Sequence, residues 1–485
     1  MKLFNDQNHI SRRKFIKNSL AISGLSIVGT SLPSSLLASQ VYTSNRPKLS
    51  ERNFTSKAVE KTIEKVKAKI ADEELAWMFE NCFPNTLDTT VRYQEMDGKP
   101  DTFVITGDIE AMWLRDSSAQ VWPYLSLVNE DIELKKLIAG VINRQAKCIN
   151  IDPYANAFNF SNEGSQWESD LTDMKPELHE RKWEIDSLCY VVRLSHGYWK
   201  ETKDTSVFDE EWVKAMKLVI KTFKEQQRYD DKGPYKFQRY TAVSTDTVPL
   251  SGYGNPVKPN GMINSAFRPS DDSCIFNYLV PSNLFAVKSL YQMSELFKDV
   301  LNENQLAEEC LSLAKEVEAG IEKDAIAEHL DYGKIYAYEV DGFGNQLFMD
   351  DSNVPSLLAL KYLGLTKEDD VLYRNTRKFV LRGDNPYFFK GKYAEGIGGP
   401  HVGLDMIWPM TIIMRALTSE NEEEIKNCLT MLKATHAGTG FMHEGFHKDD
   451  PKNFTRSWFA WANTLFGELI YTLYKTKPHL LANEY

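Results

Sequence analysis

The chain has 485 residues, 42% hydrophobic, 26% charged and 12% aromatic, which excludes low-complexity and collagen-like chains and describes a globular protein with a sizeable core. Its 68 acidic residues outnumber 57 basic ones for a formal charge of −11, and no basic cluster interrupts the body of the chain, so nucleic acid is not the expected partner. With 10 Trp, 22 Tyr and 25 Phe, such a chain suits an enzyme acting on a neutral polar substrate.

In chain order, Arg12-Arg13 precede Phe15-Ile16 and a weakly apolar stretch diluted by Gly and Ser, with a small-residue exit near Ala38. Residues 1–38 therefore read as a twin-arginine-type export signal, and the protein is expected to be exported, in the periplasm. Gly24, Gly29 and Pro33 make the stretch a poor permanent membrane span. Five basic residues and one acidic leave with it, taking the formal charge from −11 to about −15. Residues 39–55 read as a linker and 56–485 as a single catalytic domain.

From residue 56 onward the apolar spacing is helical. It predicts helices over Ser56–Cys82, Ile109–Val128, Ile132–Asn150, Ile185–Thr202, Phe208–Tyr229 and Pro281–Phe297. It continues with Glu303–Ala325, Ser352–Leu363, Lys367–Leu381, Met406–Leu417, Asn421–Ala437 and Thr455–Lys475. Asp186-Ser187 and Ser352 read as helix starts, with Pro281 in a first turn. Two stretches, Asp230–Ser270 and Lys334–Asp350, read as short hairpins or long ordered loops.

The even-numbered helices each open at an unusual polar motif: TGDIEAMWLRDSS, KWEIDS, FRPSDD, FMDDSNVPS, GGPHVGLDMIWP and HEGFHKDDPKNFTRSW. The odd-numbered helices open on ordinary amphipathic sequence such as SENEEEI. Alternating inner and outer helices of an all-α (α/α)6 toroid, with small hairpin and loop insertions, produce this pattern. The motifs would then meet on one face.

The six cysteines are scattered, with no C-x-x-C and no Cys/His cluster, so zinc is not expected and buried free thiols are the default. Sequence alone assigns no disulfide. The serine-nucleophile elbow G-x-S-x-G and the nucleotide loop G-x-x-x-x-G-K-[ST] are missing as well.

The candidate site residues lie in those motifs. Trp113 and Trp122 present flat apolar faces, and Asp108, Arg115 and Asp116 present directional hydrogen-bonding groups, the two kinds of contact a sugar uses. The adjacent acids Asp271-Asp272 repel unless one is protonated or paired, and a raised pKa suits a general acid. Glu444 beside His443, flanked by aromatics, suits a base that activates water. His401 sits in the same ring of loops. Two carboxyl groups acting on an acetal point to glycoside hydrolysis.

GDIEAMWLRDSSAQVWPY, GMINSAFRPSDDSCIFNYLVPSNLFA and FMHEGFHKDDPKNFTRSWFAWANTLFGEL resemble glycoside hydrolase family 125, the exo-α-1,6-mannosidases, from about residue 55 to the C-terminus. The resemblance implies an (α/α)6 toroid that releases non-reducing terminal α-1,6-linked mannose from a glycan with inversion, using no metal or other cofactor. It places the general acid in the Asp271-Asp272 pair, with Asp271 preferred, and the general base on Glu444. It also sets Arg115, Asp116, Arg268 and His401 near the terminal sugar. The competing readings are a toroid glycosidase or lyase of different linkage and a glycan-binding toroid without catalysis.

Overall fold

The computed structural model describes residues 42–367 and 369–485, and the export signal expected over residues 1–38 lies outside them. Among these residues the α-helices are α1 (Lys57–Lys67), α2 (Glu73–Cys82), α3 (Asn85–Thr89), α4 (Leu114–Val121), α5 (Ile132–Ile151), α6 (Ile185–Thr202) and α7 (Glu210–Gln226). They continue with α8 (Val280–Asp299), α9 (Asn304–Asp324), α10 (Val371–Val380), α11 (Pro409–Leu417), α12 (Glu422–Thr435) and α13 (Ala460–Thr476). No described helix is long and apolar enough to cross a membrane.

Burial separates these helices into two kinds. On α6 an unbroken run from Ile185 to Ser195 is buried, so that helix is enclosed all round. On α12 only Ile425, Cys428, Leu429, Leu432 and Thr435 are buried, one stripe at helical spacing opposite Glu422, Glu423 and Glu424. The enclosed helices pack side by side, α13 on α4, α4 on α6, α6 on α8 and α11 on α13, with a 3-10 turn at Leu358–Leu360 between α8 and α11 in chain order. Around them lie α2, α5, α7, α9, α10 and α12. This is the expected (α/α)6 toroid, inner and outer helices alternating along the chain.

Helix starts follow the same division except at the outer helix α9, whose start at Glu303 has no side-chain cap. Asp72, Asp131, Asp209, Asp370 and Asn421 cap outer helices through side-chain oxygens that accept backbone N–H groups. Inner helices α4, α6, α8, α11 and α13 start at Trp113, Glu184, Leu279, Trp408 and Phe459, without a side-chain cap. Neighbouring loops replace it: Leu114 N–H donates to the Asn156 carbonyl, Ile185 N–H to Ser265 Oγ and Val280 N–H to the Tyr338 carbonyl. Asp186 is therefore not the cap that its position suggested, and its carboxyl group is free for another partner.

Three further expectations change. The helix predicted over Ser56–Cys82 is two helices, because Asp72 caps a second start after Ala68. The helix predicted over Ser352–Leu363 shrinks to the 3-10 turn. There the buried Asp350 carboxylate accepts from the N–H groups of Leu357 and Leu358, and Pro355 has no N–H to contribute. The expected linker is part of the domain from Tyr42 onward. Arg46 is buried in ion pairs with Glu60 and Asp88, and Trp77 Nε1 donates to the Thr43 carbonyl at 2.7 Å.

Hairpins decorate the ring at Val91–Met96 with Lys99–Val104, Ile326–His329 with Gly333–Tyr336, and Phe388–Lys390 with Glu395–Ile397. All six cysteines are buried free thiols.

Candidate active site

The loops that lead into the inner helices are tied to one another around the whole ring. Arg115 in the first turn of α4 reaches Glu184 at the start of α6. Lys182 Nζ, just before α6, donates to the Asp271 carbonyl at 3.1 Å, joining the loop before α8. Ser270 Oγ donates to Asp351 Oδ2 at 2.9 Å. Gly399 then passes so near that a Cβ there would sit 3.2 Å from Asp351 Cβ, a tight contact that brings the two loops together. Strand Met406–Ile407 pairs with Phe446–His447, and Arg456 closes the circle by donating to the Thr106 carbonyl at 3.2 Å and pairing with Asp108. One face thus gathers all six motifs.

At the heart of this face one guanidinium serves four carboxyl groups. Arg115, 3% exposed, lies 2.5 Å from Glu184, 3.2 Å from Asp186, 3.6 Å from Asp116 and 3.6 Å from Asp271. Burial pushes Asp116 up to about 6, against the pull of Arg115 and with the push of Asp271. Burial likewise raises Asp186 to about 6 and Glu184 well above the carboxylate range. One cation cannot hold four buried carboxylates ionised.

The two adjacent acids are sorted by the backbone. Asp271 has φ of 67°, the left-handed region that a non-glycine residue occupies only when its surroundings impose it. That turn directs its side chain toward Arg115, with 25% of it exposed, and Asn156 Nδ2 donates to Oδ1 at 3.4 Å. Burial pushes Asp271 up, yet Lys182, Arg115, His401 and a hydrogen bond from Glu184 outweigh it and hold the carboxylate below its usual range. Asp272 turns inward, 3% exposed, with Oδ2 3.3 Å from Ser270 Oγ, whose proton goes to the nearer Asp351.

Arg268, expected near the terminal sugar, is held on one side by an ion pair and has an Nη2 without a protein partner. It is 2% exposed, its Nε donates to Glu339 at 2.6 Å and its guanidinium lies over the Tyr338 ring. Glu339 also accepts from the Ile275 and Phe276 N–H groups at 2.9 Å each. Arg268 and Glu339 anchor the Asp271 loop from beneath. Trp122 is withdrawn: it follows the C-terminal end of α4, and the Arg193 guanidinium stacks 3.4 Å over its ring.

Across the ring, Glu444 lies beside Arg456, whose Nη1 donates at 3.4 Å, while the same guanidinium pairs with the half-exposed Asp108. His443 stacks on Phe454 with ring centroids 4.0 Å apart, and burial lowers its pKa, so the ring is neutral. Its Nδ1 donates to the Arg456 carbonyl at 2.9 Å, leaving Nε2 a buried acceptor without a protein partner. Trp113, buried, packs edge-on to His179, and His401, exposed, stacks on the buried Trp408. Asp116 feels both halves of the site, since Asp271 and Arg456 each shift its pKa. The indole N–H groups of Trp113 and Trp408, Arg456 Nε and Asn353 Nδ2 are buried donors without protein partners.

The sequence reading passed over Glu184, Asp186, Lys182 and Arg456. The signal was present, since all four stand in motifs already singled out as unusual helix starts.

We expect Asp116→Asn to stabilise the protein at pH 7 by about 1–3 kcal/mol. The Asp116 pKa rises from 3.8 to about 6 on folding, so folding is penalised above pH 6 and unaffected below 3.8. Chemical denaturation at pH 4 and pH 7 checks the sign. A gain of equal size at both would refute it.

Ring and face loops place the chain among the (α/α)6 toroids. The family model described as metal-independent alpha-mannosidase (GH125) matches residues 72–471, so the chain belongs to glycoside hydrolase family 125. It is 45% identical over 455 residues to the meiotically up-regulated gene 157 protein of Schizosaccharomyces pombe, covering 90% of this chain and 89% of that one. It resembles a metal-independent alpha-mannosidase structure from Streptococcus pneumoniae, a non-productive complex with alpha-1,6-mannobiose, at 42% identity and a TM-score of 0.84. That likeness spans 88% of this chain and 100% of the other. A bacterial glucoamylase complexed with acarbose shares the fold alone, at 13% identity and a TM-score of 0.50, over 84% of this chain and 56% of that one. This chain is a glycoside hydrolase of an alpha-mannosidase family.

Proposed function

We propose that this enzyme removes single α-1,6-linked mannose residues from the non-reducing ends of glycans, with inversion at the anomeric carbon. Asp271 donates a proton to the glycosidic oxygen. Glu444, held beside Arg456, deprotonates a water that attacks the anomeric carbon from the opposite face. Asp108, Trp113, Arg115, Asp116, His401 and His443 receive the terminal sugar, whose hydroxyls satisfy the buried unpartnered groups and whose C–H face meets the aromatic rings.

The observation that carries this reading is the sorting of the acid pair. The positive-φ backbone at Asp271 turns that carboxyl toward the open face, while Asp272 is turned inward and buried. The α-1,6 preference draws on the mannobiose held by the Streptococcus pneumoniae relative, and the working place is the periplasm, reached through the twin-arginine-type signal.

The test is proton NMR of mannobiose hydrolysis across α-1,2, α-1,3 and α-1,6 linkages. The reading requires α-1,6-mannobiose to be cleaved fastest and β-mannose to appear first. Initial α-mannose sinks the inverting mechanism, and no cleavage of any linkage sinks the enzyme.

A further inference from the structure

A carboxyl group that gives up a proton at each turnover has to hold one beforehand, and the surroundings of Asp271 act against that. Lys182 donates to its carbonyl, and Arg115 lies 3.6 Å from its Oδ1. Together these two cations favour the ionised form.

The missing proton is found next door. Glu184 and Asp271 sit on one guanidinium and one amide, those of Arg115 and Asn156, and two carboxyl groups crowded in this way favour holding one proton between them. The oxygens of Glu184 divide the work. Oε2 accepts from Arg115 Nη1 at 2.5 Å and from Ser187 Oγ at 2.8 Å. Oε1 is left on the side of the Asn156 amide, which spans the two acids at 3.5 Å from Glu184 and 3.4 Å from Asp271.

We propose that Glu184 is the proton store of the catalytic acid: the Glu184–Asp271 pair holds one proton, kept on Glu184 in the free enzyme and passed to Asp271 as the glycosidic bond breaks. The Asp271 proton goes to the departing oxygen as that oxygen takes the electron pair of the C–O bond. That proton is the one the pair held, received from Glu184, so both carboxyl groups are then ionised. Arg115 then neutralises the carboxylate left on Glu184, and the proton that Glu444 took from water returns to solvent, from which the pair is recharged. Burial and the like charges of Asp271 and Asp186 favour the protonated form of Glu184, and Arg115 opposes them. Asp116 and Asp186, on the same guanidinium, add negative charge that keeps one proton in the cluster.

This inference rests on Asp271 being the acid, so Glu184→Gln and Asp271→Asn are compared on two substrates. α-1,6-Mannobiose needs its leaving group protonated, whereas dinitrophenyl α-mannoside does not. Glutamine keeps the shape and the bonds from Arg115 and Ser187 and cannot release a proton. We expect Glu184→Gln to lower kcat/KM on mannobiose at least ~10-fold more than on the aryl substrate. The alkaline limb of its mannobiose profile moves about one pH unit or more toward acid, because Asp271 loses the partner that held its proton. Equal losses on both substrates with an unmoved limb overturn the inference and reduce Glu184 to packing. If Asp271→Asn also loses both activities equally, the acid assignment itself has failed. Should the glutamine variant not fold, infrared spectra of the intact enzyme labelled with 13C-glutamate decide the matter. A protonated glutamate stretch at pH 7 that shifts in Asp271→Asn supports the store, and its absence refutes it.

Discussion

Glu444→Gln is expected to lower kcat/KM on α-1,6-mannobiose by about 10²–10⁴-fold while leaving mannobiose binding within a few-fold of wild type. Glutamine matches glutamate in shape, and its amide oxygen still accepts the bond from Arg456 Nη1, so the loop before α13 keeps its form. What is lost is the ability to take a proton from water. That group acts only in the transition state, so the loss falls on kcat rather than on KM. Calorimetric titration with mannobiose and steady-state kinetics on the same preparation separate the two. A variant that keeps more than a tenth of its activity would exclude Glu444 as the base.

Arg115→Met is the most damaging single change we expect outside Glu444 and Asp271. The guanidinium is the shared counterion of Glu184, Asp186, Asp116 and Asp271, and a methionine of similar length leaves these acids with no cation in contact except near Lys182. Removing one partner of a buried ionic cluster typically costs about 3–5 kcal/mol. Activity should fall by about 10²-fold or more, since the proton donor loses its neighbour.

The sign of its pH dependence follows from the raised pKa values. Asp116 and Asp186 titrate at about 6 in the folded chain against 3.8 ordinarily, so each favours folding below the lower value, and that contribution is lost as pH rises through the higher one. Without Arg115 their folded values climb further. The variant should therefore be much less stable than wild type at pH 8 and approach it at pH 5. Denaturation midpoints at both values check this, and a deficit independent of pH would show that Arg115 acts only by filling space.

The Arg115 cluster is also where Asp116→Asn should stabilise, which makes it a place where stability and activity oppose each other. Buried like charges are costly, and a fold would not gather them without use. Here the use is a site whose protonation states can be tuned. Both members of the Asp116/Asp186 pair lie within reach of one guanidinium, so the cost is shared with the catalytic machinery.

How much of this was legible in the chain divides along a physical line. Helical periodicity and capping are set by residues three or four positions apart. The sequence accordingly determined the alternation of inner and outer helices, the α6 span Ile185–Thr202 and the six polar motifs that meet on one face. Where it erred locally, a long-range partner had intervened. Asp350 took over the start of the element expected at Ser352, and the carbonyls of Asn156 and Tyr338 replaced side-chain caps on α4 and α8.

Only the tertiary structure decided what each site residue touches, because those contacts join distant parts of the chain. Arg115 and Glu184 are 69 residues apart, and Arg456 and Thr106 are 350 apart. No local pattern in FRPSDD distinguishes Asp271 from Asp272. The strained backbone and the encircling Lys182, Arg115 and Glu184 do. Nor does the motif reveal that Arg268 pairs with Glu339, a residue from a separate hairpin. The chain specifies short-range form in its own spacing, whereas the charge and orientation of its carboxyl groups come from the ring that brings them together.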